Sequence, residues 1–440
     1  MSAFINFGRM LLAKLIAALY TLLSVFGGGV AFKDATPVAP EDFTPVVRFA
    51  VCSDVHLSGE EDQEEARRFE KLFDVSYAYA GSQPYSALDA VVVAGDMTND
   101  GLPEQYRVFN GVADKKLRED TRFLVCTGNH EYIAYRDEDA SVGAKVFREM
   151  MGHDTETSTV INGYHFILCS YCDDGRTFRD KMRWLDGEMK AAVADTGDKP
   201  IFVFQHPGPF ATVYGSVNWG DASIPTVMLK YPQAINFSGH SHYPVNDPRS
   251  IWQGGYTALG CGTLSYFETE LDGIAGNFPY ETEQAAQFYI VEADADGNVR
   301  IRLYDLITDQ FFDTEYYLTD LAKRNYEYAY LKMKLRDKAP EFPADTVVST
   351  AVNENGETIL TFTGAKDRYV VESYKVSVTR AGVPVAADNF SGKYMYLFEE
   401  DKYEVNLGKL ESGKTYKAKI VAMNAYAETS APFTYTFTAE

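Results

Sequence analysis

Short apolar runs of strand length recur along the chain, and each ends abruptly in a polar cluster. Residues 46–52 run into Ser53-Asp54-Val55-His56, and 88–94 run into Gly95-Asp96. Residues 122–126 run into Gly128-Asn129-His130-Glu131, 201–204 into Gln205-His206, and 234–237 into Gly239-His240-Ser241-His242. Continuous apolar runs of this length suit strands buried on both faces. Between them, residues 60–79, 103–117 and 179–194 repeat their apolar positions at helical spacing. Strands alternating with helices predict an α/β domain, and ligands of such domains gather at the carboxyl ends of strands. Every polar cluster falls at such an end.

The pattern changes after Gly262. Residues 287–292 and 299–305 flank Asp294-Ala295-Asp296-Gly297-Asn298, a hairpin signal that completes the sheets. Residues 320–336 predict a helix, and Ala339-Pro340-Glu341-Phe342-Pro343 predicts a linker. Domain boundaries follow at 46–338 and 344–440. The second domain has short strands at roughly ten-residue spacing, clearest over 358–363, 370–379 and 415–423, as an all-β immunoglobulin-like sandwich requires. Its Leu410-Glu-Ser-Gly-Lys-Thr-Tyr416 segment has the form of a tyrosine corner, in which a Tyr hydroxyl ties back to a nearby loop. This stretch resembles a fibronectin type III domain, with Phe362 where that family usually has a buried Trp.

Residues 1–34 differ in kind. Arg9 and Lys14 precede an apolar run over 15–26, followed by Gly27-Gly28-Gly29-Val30-Ala31. This is the order of a signal peptide with a cleavage point after Ala31. An uncleaved anchor fits as well, because the run with its glycines approaches spanning length. Both readings make the protein extracytoplasmic, either secreted or attached to a membrane through its amino terminus.

Composition narrows the partners. Of 440 residues, 46% are hydrophobic, enough for large cores, and 24% are charged, an ordinary exposed surface. The formal net charge of -22 repels a nucleic-acid backbone, so broad nucleic-acid binding is not expected. A small phosphorylated substrate remains compatible, because bound cations reverse the local potential. Five cysteines are present, and Cys169-Ser-Tyr-Cys172 has C-x-x-C spacing. No second pair exists to complete a zinc site, and the preceding apolar run reads Cys169 as a packed strand residue.

Five of the seven histidines lie in the polar clusters; His153 and His165 do not. Asp54 and His56 are two residues apart, as are His240 and His242. In extended chain such pairs point the same way, so each pair can present two ligands to one cleft. Carboxylate, imidazole and amide oxygen together suit borderline divalent ions such as Mn, Fe or Zn.

In this order the clusters resemble the calcineurin-like metallophosphoesterase superfamily: D-x-H at Asp54-Val55-His56, GD at Gly95-Asp96, GNH plus an acid at Gly128 to Glu131, a lone His206, and GHxH at Gly239 to His242. The resemblance covers about residues 46–306. It implies a four-layer α/β/β/α sandwich and a two-metal centre that hydrolyses phosphomonoesters or phosphodiesters. By the same resemblance Asp54, His56 and His242 hold one metal, Asn129, His206 and His240 the other, and Asp96 bridges both. His130 protonates the leaving oxygen. Relatives carry Asp, or a Tyr ligand in purple acid phosphatases, where this chain has Asn99. That speaks against a tyrosinate-ligated iron and leaves the orientation of His130 to be found, with Asp100 as a substitute. Residues 207–221 hold Phe210, Tyr214 and Trp219 between two ligand clusters, and read either as a roof over the site or as core packing. The competing function is a surface-attachment protein whose sandwich domain contacts a glycan or protein, with a vestigial phosphoesterase core.

Overall fold

The structure, a computed structural model, describes residues 34–398 and 401–440. It divides into two compact units. One runs from the first described residue to Glu268 and resumes over Thr282–Lys332; the other comprises Thr269–Glu281 and Met333–Glu440. The export signal expected over 1–34 lies, but for Asp34, outside the described residues. Among the described residues no helix is long and apolar enough to cross a membrane.

The first unit carries β1 (Pro45–Cys52), β2 (Ala90–Ala94), β3 (Arg122–Cys126), β4 (Glu156–Ile161), β5 (Tyr164–Cys169), β6 (Ile201–Pro207), β7 (Ala234–Gly239), β8 (Ile251–Gln253) and β9 (Thr257–Gly260). A hairpin of β10 (Thr269–Leu271) and β11 (Ile274–Asn277) belongs to the second unit. The chain then returns to the first unit as β12 (Gln287–Asp294), β13 (Val299–Asp305) and β14 (Gln310–Leu318).

These strands form two six-stranded sheets, β14-β13-β12-β1-β2-β3 and β4-β5-β6-β7-β9-β8. β1, β2 and β3 run parallel, as do β5, β6, β7 and β9. β2, β6 and β7 are buried at every residue, which is why their sequences are apolar without alternation. The hairpin expected at Asp294 to Asn298 joins β12 to β13.

Helix Glu64–Gly81 buries Ala66, Phe69, Leu72, Phe73, Tyr77 and Ala80 at three- and four-residue spacing against the first sheet. It stacks Phe69 on Phe109 of helix Pro103–Lys116, with ring centroids 5.0 Å apart. Helix Met182–Thr196 buries Leu185, Met189 and Ala192 against the second sheet. Between the sheets, Phe49 of β1 meets Phe166 at 5.0 Å, Phe202 at 4.9 Å, and Phe204 and Phe237 at 6.0 Å. The order is therefore helix, sheet, sheet, helix, the expected four-layer α/β/β/α sandwich. All five cysteines are buried free thiols, and Cys169 packs in the core of the second sheet.

The continuous helix expected over 320–336 is a correction. The chain makes one 3₁₀ turn, Leu321–Lys323, then a separate helix, Tyr330–Arg336. Asp320 and Arg324 both adopt left-handed φ, 52° and 59°, which closes the turn on each side. Tyr326 and Tyr328 are then buried, and Tyr326 Oη donates to the Pro232 carbonyl at 3.0 Å. Aromatic burial here outweighs the helical spacing.

In the second unit β15 (Val348–Val352), β16 (Thr358–Thr363) and β19 (Lys402–Asn406) form one antiparallel sheet. β18 (Val383–Ser391), β17 (Val371–Arg380), β20 (Thr415–Asn424) and β21 (Phe433–Thr438) form the other. Phe362, Tyr374, Val376, Tyr403 and Ile420 fill the space between. Tyr416 Oη accepts the Glu411 N–H at 3.0 Å, closing the corner read from the sequence. Within residues 339–343, Glu341 pairs with Lys366 and Phe342 lies 5.3 Å from Phe433.

The inter-sheet phenylalanines set an expectation. Phe49 is fully buried, so Phe49→Ala should cost about 3–5 kcal/mol by removing ring surface and leaving a cavity. Urea unfolding of the two proteins measures it, and a loss below about 1 kcal/mol would mean that the sheets close without this ring.

Candidate metal centre

Adjacent strands deliver the five polar clusters to one buried cleft in the first unit. Three groups of side chains there have ligand atoms close enough to share an ion: Asp54, His56 and His242; Asp96, His206 and His240; and His56, Asp96 and His130. The first two groups coincide with the sets named from the sequence. Asn129 Oδ1, expected beside them, is buried without a hydrogen-bond partner.

The backbone does not deliver them as expected. Asp54, His56, Asp96, His240 and His242 all have positive φ, between 48° and 71°. The pairs two residues apart thus reach the cleft through left-handed turns, not through extended chain. Left-handed backbone at a residue bearing Cβ costs roughly 1–2 kcal/mol, and such strain concentrates at functional sites. The glycines in the clusters permit close approach. A Cβ on Gly128 would lie 2.1 Å from Asp96 Oδ1, and one on Gly239 would lie 1.8 Å from Ser53 Oγ.

Each carboxylate is split between two tasks. Asp54 Oδ2 accepts the His240 N–H and Asp96 Oδ1 accepts the His130 N–H, both at 2.9 Å. The other oxygens face the cleft. Asp54 Oδ1 is buried without a hydrogen-bond partner and lies 3.1 Å from His242 Nε2 and 3.8 Å from His206 Nε2. Asp96 Oδ2 also faces three rings, 2.8 Å from His206 Nε2 and 3.9 Å from the Nε2 atoms of His56 and His130.

Backbone carbonyls fix the imidazoles. His206 Nδ1 donates to Ala94 O at 2.9 Å, His242 Nδ1 to Tyr266 O at 2.9 Å, and His130 Nδ1 to Asn99 O at 2.7 Å. With Nδ1 committed as a donor, each neutral ring turns an Nε2 lone pair into the cleft, the form a metal ligand needs. His56 Nε2 and His242 Nε2 are only 3.1 Å apart. Two lone pairs at that distance repel unless a proton or cation lies between them. The donor set therefore fits divalent ions.

The electrostatics agree. Burial would raise both carboxyls, yet the rings beside them hold them well below the usual range: His242 and His206 act on Asp54, His206 and His130 on Asp96. Burial lowers His240 to about 3, with His206 adding to the effect. Burial alone would lower His206 too, but Asp96 and Asp54 draw it up to about 9.

The neighbouring residues refine the sequence reading. Asp100 does not orient His130; its carboxylate accepts from Gln105 Nε2 at 2.9 Å near the start of helix Pro103–Lys116. A backbone carbonyl replaces the expected carboxylate. The 207–221 loop divides between its two readings. Tyr214 is buried, 4.2 Å from Tyr243 and under the Arg249 guanidinium at 3.6 Å. Trp219 is 39% exposed and stands edge-on to His240 at 6.0 Å. On the other side Tyr266 lies 4.1 Å from the His242 ring. His153 and His165 lie outside these groups, and His165 Nε2 pairs with Asp195 at 2.8 Å.

Sequence reasoning assigned no task to Glu131. The side chain is fully buried and accepts four hydrogen bonds, from the N–H groups of Asp96 (3.1 Å), Thr98 (3.0 Å) and Gly128 (2.6 Å) and from Thr98 Oγ1 (3.0 Å). Burial, with the charge of Asp96 adding, raises its carboxyl to about 7 against those donors. It ties the loop after β2 to the loop after β3.

Residues 47–244 match the family model for calcineurin-like phosphoesterases. No curated protein matches the chain. Among solved structures the chain is similar to a purple acid phosphatase from yellow lupin (Lupinus luteus) seeds, at 13% identity and a TM-score of 0.43 over 63% of this chain and 55% of that one. It thus spans little more than half of the lupin enzyme. It is also similar to PhoD, at 11% identity and a TM-score of 0.38 over 64% of this chain and 70% of that one.

Glu131 gives a graded test. Glu131→Gln should cost ~1–3 kcal/mol, because an amide must turn its NH₂ toward a donor. Glu131→Ala should cost ~3–5 kcal/mol, as removal of one side of a buried charged network does. Thermal unfolding should rank wild type above Gln above Ala; equal stability of all three would remove the tie from the account.

Proposed function

We propose that the calcineurin-like phosphoesterase domain matched over residues 47–244 hydrolyses phosphomonoesters or phosphodiesters at a two-metal centre. On this reading the protein is a metal-dependent phosphoesterase. Asp54, His56 and His242 would hold one ion, and Asn129, His206 and His240 the other, with Asp96 between them. One observation carries this reading: Asp54 Oδ1 and Asn129 Oδ1 are buried acceptors with no hydrogen-bond partner. Orphaned buried acceptors are costly, and a pair of cations would satisfy both, one at each. Mn, Fe and Zn suit this donor set, in which nitrogen and oxygen ligands mix without thiolate. A divalent pair supplies neutralising charge for phosphoryl oxygens and a water of lowered pKa.

The chain's own residues supply orientation and a proton. The carbonyls of Ala94 and Tyr266 keep His206 and His242 in the ligating tautomer. His130 Nδ1 keeps its proton on the Asn99 carbonyl, so the second proton of the imidazolium sits on Nε2 and faces the cleft. A leaving oxygen within reach of Nε2 would take that proton. The full complement of donors argues against a vestigial core. We propose further that residues 1–34 export the enzyme or anchor it, and that 344–440 is a fibronectin type III-like domain. The strand order of its two sheets and the Tyr416 corner support the latter.

Asp96→Ala should strip both ions and reduce turnover by more than the ~10–100-fold that loss of an outer-shell partner costs. Elemental analysis paired with rate measurement reads it; full metal content at near-normal rate would sink the two-metal assignment.

His130 separates from the ligands by leaving group. His130→Ala should keep its metals and slow alkyl phosphate esters by ~10²–10⁴-fold, because an alkoxide needs a proton as it departs. Nitrophenyl esters should slow far less. Equal slowing of both ester types would show a role in charge or positioning, and metal loss would make His130 a ligand.

A further inference from the structure

The second unit holds a cleft of about 670 Å³, and none of its lining residues is among those assigned to the reaction. Its walls come from the hairpin and the segment that follows β11, from β18 and β19, and from residues 392–398. The hairpin is fixed to the sandwich. Asn277 Nδ2 donates to Ser391 Oγ at 3.0 Å, Asn389 Nδ2 donates to Asp272 Oδ2 at 2.7 Å, and Lys375 Nζ pairs with Asp272 at 2.6 Å. The cleft is therefore built by paired elements, and its volume lies within the ~300–1,000 Å³ usual for ligand sites.

Its lining combines two chemistries. Phe278 is 59% exposed, Tyr280 66% and Phe398 40%, so three large rings of this one cleft stand in solvent. Large exposed rings are expected singly on a surface, and their grouping marks a binding surface. Among them stand Asp388, Lys393 and Glu404, with Lys393 Nζ 5.5 Å from the Tyr280 centroid. The Asn389 Oδ1 atom at the wall is buried and has no hydrogen-bond partner.

We propose that this cleft binds an uncharged polysaccharide chain and holds the enzyme on it. A pyranose ring offers an apolar C–H face that lies flat on an aromatic ring, and hydroxyls around its edge that pair with carboxylate, amide and ammonium groups. Phe278, Tyr280 and Phe398 supply the platforms; Asp388, Asn389 and Glu404 supply acceptors. An apolar ligand would leave those charged groups desolvated without partners. A polyanion would meet Asp388 and Glu404, whose charge Lys393 and Lys402 only balance, on a chain of net charge -22. A neutral chain rich in hydroxyls meets neither obstacle.

Native affinity electrophoresis of the full-length protein tests this, in gels cast with soluble xylan, galactomannan, laminarin or hydroxyethyl cellulose, against gels without polysaccharide. At least one should retard the protein. The double variant F278A/Y280A should weaken that retardation about tenfold or more, as loss of stacking platforms does. Its melting temperature and its rate on nitrophenyl phosphate should stay at wild-type values, since both rings are exposed and outside the metal centre. F398A should weaken retardation independently. Migration unaffected by every polysaccharide overturns the proposal, as does retardation that survives all three substitutions.

Discussion

The first unit is organised around two carboxylates that have nowhere to discharge. Asp54 and Asp96 follow adjacent parallel strands and are almost wholly removed from solvent. Among the described residues their ion-pair partners are all histidines. Isolated buried carboxylates are too costly to keep ionised, so something must compensate for both. One oxygen of each is satisfied by a backbone N–H from another polar cluster. The second oxygen of each points at the other groups of the cleft. Those two hydrogen bonds also determine which loops can meet. The Asp54 bond reaches His240, just after β7 of the opposite sheet, and so joins the two sheets at their carboxyl ends, whereas the Asp96 bond ties the loops after β2 and β3 within one sheet.

Such an arrangement requires backbone that most side chains avoid. Five site residues adopt left-handed φ, a combined cost of roughly 5–10 kcal/mol at 1–2 kcal/mol each. Only a rigid surround sustains that. Here it consists of strands buried on both faces, the phenylalanine layer between sheets, and the Glu131 carboxylate, which gathers three N–H groups from the loops carrying Asp96 and Asn129. The strain and the buried charge are parts of one device: the turns that cost energy are those that aim oxygen and nitrogen at a single point.

This physical logic explains what the sequence disclosed and what it withheld. Parallel strands buried on both faces must be continuously apolar, so β1, β2, β6 and β7 could be read directly, and the polar residues that end them could be read as a site. Residue types with metal-binding chemistry are few, and their clustering survives without any knowledge of geometry. The means of orientation left no such trace. Ala94, Asn99 and Tyr266 act through backbone carbonyls, which every residue possesses, so side-chain identity carries no signal. Extended geometry was the wrong inference for the two-residue spacing because positive φ outside glycine is invisible in sequence. The 320–336 segment failed for another reason: Tyr326 and Tyr328 are both buried, and two residues that are two apart do not share one face of a helix, so burial of their rings governs the chain path.

The backbone origin of histidine orientation changes how the departure at Asn99 should be weighed. An aspartate that orients a catalytic histidine both fixes the ring and adds negative charge beside it, which makes the imidazolium a weaker acid. A carbonyl fixes the ring equally well, at 2.7 Å, but contributes only a dipole. The Nε2 edge of His130 is thereby turned to the cleft, where a leaving oxygen would stand, by a partner that carries no full charge. Asp96 Oδ2, 3.9 Å from that nitrogen, is the nearest negative group recorded for it, and a bound cation would neutralise this carboxylate. One side chain would thus serve the cations and face the proton donor, and it couples the two halves of the centre.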